Sequence, residues 1–310
     1  MAYNKLQRNV FDELCVLTDS LNSLSFDSVF PIFEEEQLFL CQQMRPIIEQ
    51  FRHDQASDLN ILDVGTGSGI LAIFLEHVFA RQEGVPHSYT IRALDRSKRA
   101  VKLAQINCRI NRCQHVQVLP AQSYFERSVE VLSQDLILMN PPFNPTYPTF
   151  IRGGSTAING YTGLRVFREW LHYLPQHLGS DGMVIGFIMS PIAQNKIMAL
   201  EELKAALGTE FCVRYCRSLP EDYDTFEFLN AIYQHYLSAS TPEEHDSLAI
   251  WIERIAMSAH KLALIYYEAS RRSQAQTIKE IEPIWQPQAS WDDRIRIHQT
   301  VVDNYRKSSL

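Results

Sequence analysis

Residues 61–69 (ILDVGTGSG) constrain the fold more than any other segment, because they read as a buried strand running straight into a glycine turn. Residues 135–143 (DLILMNPPF) read as a second buried strand, this one ending in a rigid Asn-Pro-Pro-Phe tetrapeptide. The first ending suits close approach to a nucleoside-bearing ligand. The second suits an amine or amide nitrogen held beside it.

Around these two segments, strands and helices alternate. Strand 60–64 leads to helix 69–81, strand 90–94 to helix 98–111, and strands 116–119 and 135–139 follow. A helix over 163–178, a strand over 183–189, a helix over 193–207 and two late strands, 211–218 and 227–237, complete the series. Such alternation predicts an α/β fold with a Rossmann-like, seven-stranded, doubly wound sheet. Ahead of it, Leu6, Val10, Leu14, Leu17 and Leu21 fall at helical spacing, as do Leu38, Cys41, Met44, Ile48 and Phe51, so residues 1–58 are expected to be an N-terminal helical segment. The domain that carries both opening segments is assigned to 59–240. After Thr241-Pro242, Leu248, Ile252, Ile255, Ala259, Leu262 and Tyr266 mark a long amphipathic helix, and Ser290 to Asp293 form a capping box opening a last one. Residues 241–310 are therefore expected to be a C-terminal helical extension that packs on the sheet; a substrate lid and a homodimer contact are the other readings.

With 45% hydrophobic and 21% charged residues, the 310-residue chain can bury a large core. No apolar run approaches the roughly 18 residues of a membrane span, and none follows Met1 as a signal sequence requires, so a cytoplasmic protein with no membrane partner is expected. The cysteines contain no CxxC pair and no zinc-spaced His/Cys cluster, which predicts reduced thiols and no metal. A formal charge of −7 weighs against a large nucleic-acid footprint. One basic segment, Arg96, Lys98, Arg99, Lys102, Arg109 and Arg112, reads as a solvated helix face, with a phosphate-facing patch as its other reading.

The cofactor candidates cluster at strand ends. Gly65, Gly67 and Gly69 allow positive φ and close backbone approach, and the next helix points its first amides at a ligand. Dinucleotide fingerprints place the last glycine three residues after the second, whereas here Gly67 is followed by Gly69 and Ile70. Asp63 before the turn suits a cationic amino group, reached directly or through water, and Thr66 and Ser68 add small polar side chains; these details favour S-adenosylmethionine (SAM). Asp95 ends the second strand, where a carboxylate accepts from both ribose hydroxyls or caps the next helix. Arg96 beside it, and Gln122 or Ser123 after the third strand near the adenine amino edge, complete the candidate cofactor set, which Asn140 also borders.

At the other segment, the Asn140 side-chain carbonyl and the Pro141 backbone carbonyl offer two acceptors for the two hydrogens of an NH₂ group. Pro142 stiffens the turn, and the Phe143 ring can stack on a planar group. Methyl transfer is a direct displacement, so placement and desolvation supply much of its rate.

On these residues the stretch from about 29 to 237 resembles class I SAM-dependent methyltransferases of the N-methylating (N/D)PP(Y/F) branch, most nearly the HemK-type protein-glutamine N5-methyltransferases and their relatives acting on RNA amines. The resemblance sets the family's glycine motif on Asp63 to Gly69, its ribose acid on Asp95 and its tetrapeptide on Asn140 to Phe143. Gly153-Gly154 and Thr162-Gly163-Leu164 stand where the family has related segments. The chain departs from it at residues 30–35 (FPIFEE), which keep only part of the HemK Pro-Arg-Pro-Glu-Thr segment, and at Phe143, where HemK proteins carry Tyr. The resemblance implies SAM as cofactor and, as methyl acceptor, a protein glutamine, an RNA base or a small metabolite. A silent SAM-binding scaffold and an NAD(P)-dependent enzyme are the competing classes; intact Asp63, Asp95 and Asn140 argue against the first and the glycine spacing against the second. His115 and His235 read as loop or edge residues, and Trp251, Trp285 and Trp291 as packing anchors. Tyr223, Asp224, Phe226 and Glu227 form an aromatic-acidic cluster that reads as a loop.

Overall fold

The structure, a computed structural model, describes residues 5–23, 28–54, 59–81, 89–122, 133–147, 162–237, 241–271 and 278–309. Its first element corrects the expected N-terminal helix. Strands β1 (Leu6–Phe11) and β2 (Leu14–Asp19) form an antiparallel hairpin that pairs Leu6 with Asp19 and Phe11 with Leu14. Asp12 and Glu13 turn it with φ of 50° and 66°, the left-handed pair that matches strand twist in a two-residue hairpin. Spacing by four is also spacing by two: Leu14 and Val16 point inward, while Leu6 and Val10 stay exposed. A π-helical turn, Glu34–Leu38, then leads into α1 (Phe39–Asp54).

The expected alternation follows in β3 (Leu59–Val64), α2 (Ile70–Arg81), β4 (Tyr89–Asp95), α3 (Lys98–Ile110), β5 (Val116–Pro120) and β6 (Gln134–Met139). The free edge of β2 meets α3 rather than another strand. Asn111 accepts from Cys15 N (2.9 Å) and donates to Cys15 O (2.8 Å); Asn107 does the same with Leu17 N (2.9 Å) and O (2.8 Å). Two amides one helical turn apart thus substitute for a strand and satisfy the edge groups.

Two short helices, α4 (Arg165–Leu171) and α5 (Leu174–His177), stand where one was expected, and precede the long strand β7 (Leu178–Ala193). Then come β8 (Lys196–Ile197), α6 (Met198–Leu207), β9 (Phe211–Arg217) and β10 (Tyr223–Asp224). The expected strand 227–237 is instead helix α7 (Thr225–Leu237), whose buried Phe228, Leu229, Ile232 and Tyr233 recur at intervals of three and four. Helix α8 (Pro242–Ser258) opens on a Thr241–Glu244 capping box and stops well short of Tyr266.

Leu262 and Tyr266 lie instead in strand β11 (Lys261–Arg271), followed by β12 (Ile278–Glu280) and α9 (Trp291–Ser309). The Ser290 capping box opens α9 as expected, with Ser290 and Asp293 bonding each other's backbone N–H at 2.9 and 3.3 Å. The main sheet runs β12-β9-β11-β7-β6-β3-β4-β5, with β10 on β11 and β8 on β7. β11 is antiparallel to both neighbours, β7 and β9, while the other pairings along this path are parallel. The seventh long strand therefore comes from the segment expected to be an appended helical extension, and a boundary at 240 cuts through the sheet. Among the described residues, no helix is long and apolar enough to cross a membrane.

Candidate active site

The carboxyl ends of β3, β4 and β6 open on one cleft of about 1240 Å³, its mouth included. Carboxyl strand ends are where ligands bind in open α/β sheets. Gly65, Gly67 and Gly69 have φ of 73°, 55° and 84°. A Cβ built on Gly65 meets nothing within 4 Å, so the absent side chain leaves open space rather than avoiding a neighbour. At Gly69 the same atom would lie 3.2 Å from Ala104 Cβ, which makes that glycine a spacer between α2 and α3. The loop is tied to the end of β4: Gly65 N and Thr66 N both donate to Leu94 O at 2.8 Å.

Asp95 completes that tie. Its Oδ2 accepts from Gly67 N (2.9 Å) and its Oδ1 from Ser97 N (2.8 Å). Each oxygen keeps a further lone pair for a ligand hydroxyl. Burial raises the Asp95 carboxyl above its ordinary range against the pull of these amides. The cap of α3 belongs to Ser97, whose hydroxyl accepts from Ala100 N at 3.2 Å. Asp63, expected at a ligand's amino group, sits a layer behind the loop. There Thr66 Oγ1 donates to its Oδ2 at 2.6 Å, its buried Oδ1 has no partner, and burial pushes its pKa up to about 7. Asp63, Thr66, Gly69 and the exposed Gln122 are not among the cleft's lining residues; Gly65, Gly67, Asp95 and Arg96 are. Ser123 and Gly153-Gly154 lie outside the described residues.

Asn140, Pro141, Pro142 and Phe143 line the same cleft. Asn140 Nδ2 donates to Glu36 Oε1 at 3.1 Å, and its buried Oδ1 has no hydrogen-bond partner. Gly163 explains why the Thr-Gly-Leu segment accompanies this turn: at φ +75°, its Cβ would come 1.9 Å from the Phe143 carbonyl oxygen. Phe143 is buried, with its ring 5.9 Å from that of Phe187 and 5.1 Å from the Arg294 guanidinium. Phe143 thus borders the cleft while part of its ring is covered by these neighbours.

Three lining residues carried no signal in the sequence. Arg294, on α9, donates from Nη1 to Glu36 Oε2 (2.8 Å) and Glu35 Oε1 (3.2 Å), and its guanidinium lies 5.6 Å from the Phe33 ring. His298, one turn further, is buried and held well below its ordinary pKa by burial and by Arg294, so it is neutral near pH 7. Glu36 sits in the acidic run Glu34-Glu35-Glu36, whose charge weighs against an RNA partner without marking any one residue. The 3.6 period of the last helix puts 294 and 298 on one face, but nothing in that period aims the face at the cleft. The aromatic-acidic cluster lies elsewhere: the Tyr223 ring packs on Phe228 and Trp291. Trp251 packs against Tyr147 and Tyr233, and Trp285 against Phe39, as anchors. His115 is a loop residue beside Glu76, and the His235 side chain is outside the described set.

Residues 44–152 match the methyltransferase small domain family. The chain is similar to a protein of Streptococcus mutans described as a SAM-dependent methyltransferase (10% identity, 86% of this chain and 56% of that one, TM-score 0.44). It is similar to SMU.776, a methyltransferase structure holding S-adenosylhomocysteine (11%, 86% and 57%, TM-score 0.41), and to the M. jannaschii tRNA m1G37 methyltransferase (9%, 88% and 59%, TM-score 0.44). The chain thus spans little more than half the length of these structures. The matched segment runs from α1 past the Asn-Pro-Pro-Phe turn, and carries a SAM-dependent methyltransferase domain; SAM is its cofactor. The cleft fits that cofactor: open space over Gly65, a carboxylate with spare lone pairs at Asp95, and apolar walls at Leu94, Ala100 and Ala121.

Proposed function

We propose that the whole chain transfers a methyl group from SAM to a planar amide or amine nitrogen, with a protein glutamine side chain as the first candidate acceptor. The observation that carries this reading is the orphaned Oδ1 of Asn140, buried in the cleft that Asp95 and Gly67 also line. A buried acceptor without a donor costs roughly 1–3 kcal/mol, which an incoming NH₂ group recovers. When bound, SAM supplies a methyl carbon on a sulfonium that leaves with the bonding electrons. Asp95 would hold the ribose hydroxyls, and the open space over Gly65 would let the loop backbone come close to the cofactor. Asn140 Oδ1 and the Pro141 carbonyl would take the two N–H groups and so turn the nitrogen lone pair toward the methyl carbon; as the N–C bond forms and the C–S bond breaks, the nitrogen sheds one proton to water. Asp63 acts one layer back, through the loop or a water.

A polypeptide or small acceptor is favoured over RNA by the state of the basic segment. Arg99 is engaged in an ion pair with the buried carboxylate of Asp19, and Arg96 faces Glu169 at 3.8 Å. The test offers labelled SAM and separate protein, RNA and metabolite pools. Label on protein, retained as N5-methylglutamine after hydrolysis by proteases, is the expected result. Label on RNA overturns the acceptor assignment, and SAM binding with no label in any pool overturns the transfer itself.

A further inference from the structure

Asn140 serves as a double acceptor's partner only if its amide faces one way. An amide turned by 180° presents Nδ2 to the cleft, a donor where two donors arrive. Geometry around Glu36 decides between the two orientations. Glu36 Oε1 accepts from Asn140 Nδ2 (3.1 Å) and from Gln37 Nε2 (2.7 Å), and its Oε2 accepts from Arg294 Nη1 (2.8 Å). Burial raises the Glu36 carboxyl, and the Arg294 guanidinium beside it opposes that rise. Ionised against Arg294, the carboxylate offers acceptors alone, so the group of Asn140 that meets it is the NH₂.

We propose that Glu36, clamped by Arg294 from the last helix, is a positioning residue that fixes the Asn140 carbonyl toward the methyl acceptor. This inference rests on the acceptor-gripping role of Asn140 and adds the residues that impose it. Arg294 reaches Glu36 from 258 positions away. The chain before it is fastened over the same corner: Gln43 accepts from Ile284 N (2.9 Å) and donates to Trp285 O (3.1 Å), and Glu34 accepts from Gln288 N (2.9 Å). The Phe33 and Phe143 rings lie 5.6 and 5.1 Å from the guanidinium, within reach of cation–π attraction that adds to its hold. The last helix is thus part of the machinery that aims Asn140.

Glu36→Gln tests this sharply. Arg294 demands an acceptor, so the new amide turns its oxygen to Arg294 and its NH₂ to Asn140, and Asn140 flips. The expected kcat loss is about 100-fold, the scale of one misdirected catalytic hydrogen bond, with SAM affinity within about threefold of the parent. Adding Arg294→Met frees the oxygen of the new amide to accept from Asn140, and kcat should recover about tenfold over the single variant. Activity is read with labelled SAM on whichever pool the parent protein labels. The Asn140 side-chain ¹⁵N–¹H₂ signal, assigned by its loss in Asn140→Asp, needs no acceptor: its hydrogens should exchange slowly in the parent and fast in Glu36→Gln.

Unchanged kcat or unchanged exchange in Glu36→Gln overturns the inference, as does a double variant no better than the single. If Glu36→Gln alone does not fold, the double variant's exchange rate decides: slow exchange supports the lock, and fast exchange overturns it. An active Asn140→Ala would sink the underlying gripping role instead, so the two failures are distinguishable.

Discussion

The two walls of the cleft are built by different means. On the cofactor side, Leu94 O takes both Gly65 N and Thr66 N, and the Asp95 carboxylate takes Gly67 N and Ser97 N, so the ends of two adjacent strands secure the loop. On the acceptor side, Asn140 depends on Glu36, Glu36 on Arg294, and the turn itself on Gly163. A wall closed by neighbouring strand ends exists once the parallel sheet does. A wall closed by side chains from distant segments exists only when the whole chain has docked, and each link can be broken by one substitution.

This contrast predicts that damage to one wall spares the other. Asn140→Ala is expected to lower kcat by about 1000-fold while SAM affinity, measured by calorimetry, stays within about threefold. A comparable fall in affinity would mean that the walls are one unit. Gly163→Ala should displace the Phe143 carbonyl that a Cβ meets at 1.9 Å, and should cost about 100-fold in kcat, again with SAM binding intact. Retained activity there would show that the turn tolerates a shift. Asp95→Ala acts on the other wall: SAM Kd should rise roughly 30-fold as charged hydrogen bonds are lost, and an unchanged Kd would remove the ribose assignment.

The smallest expected effect is on stability. The Asp63 carboxyl is raised to about 7 in the fold from an ordinary value of 3.8. The native state therefore binds a proton more tightly than the unfolded chain, so this group's contribution to stability is fully present below the ordinary value and is lost as pH rises toward 7. Melting temperature without cofactor should fall by a few degrees more across that window in the parent than in Asp63→Asn. Parallel pH profiles for the two proteins would contradict the burial argument.

How much of each wall the sequence revealed follows from the same contrast. Asp95, Gly65 and Gly67 stand where strand patterns end, so local periodicity located them. Asn140 was legible because two prolines after a buried strand are a rare ending. Glu36 and Arg294 are residue types found mostly on surfaces, and nothing local distinguishes a buried pair from two solvated charges. The hairpin reads as a helix because Leu6, Val10 and Leu14, four apart, satisfy the period of a strand as well as that of a helix. Residues 261–271 were misread because a strand buried on both faces shows no alternation, and its apolar run continues the pattern of α8.

That strand has a consequence for how the chain is made. β7 and β9 both finish before residue 218, yet each pairs with β11 rather than with the other, and β11 begins at Lys261. Through the synthesis of α7 and α8, two apolar strands must wait side by side with a gap the width of one strand between them. Unpaired edges of this kind are templates for wrong partners, including each other. A nascent chain halted before 261 should be cut by protease between 178 and 217, and one extended past 271 should be protected there. The sheet closes from within, and among its long strands the last to be translated is the one that joins β9 and β12 to the other five.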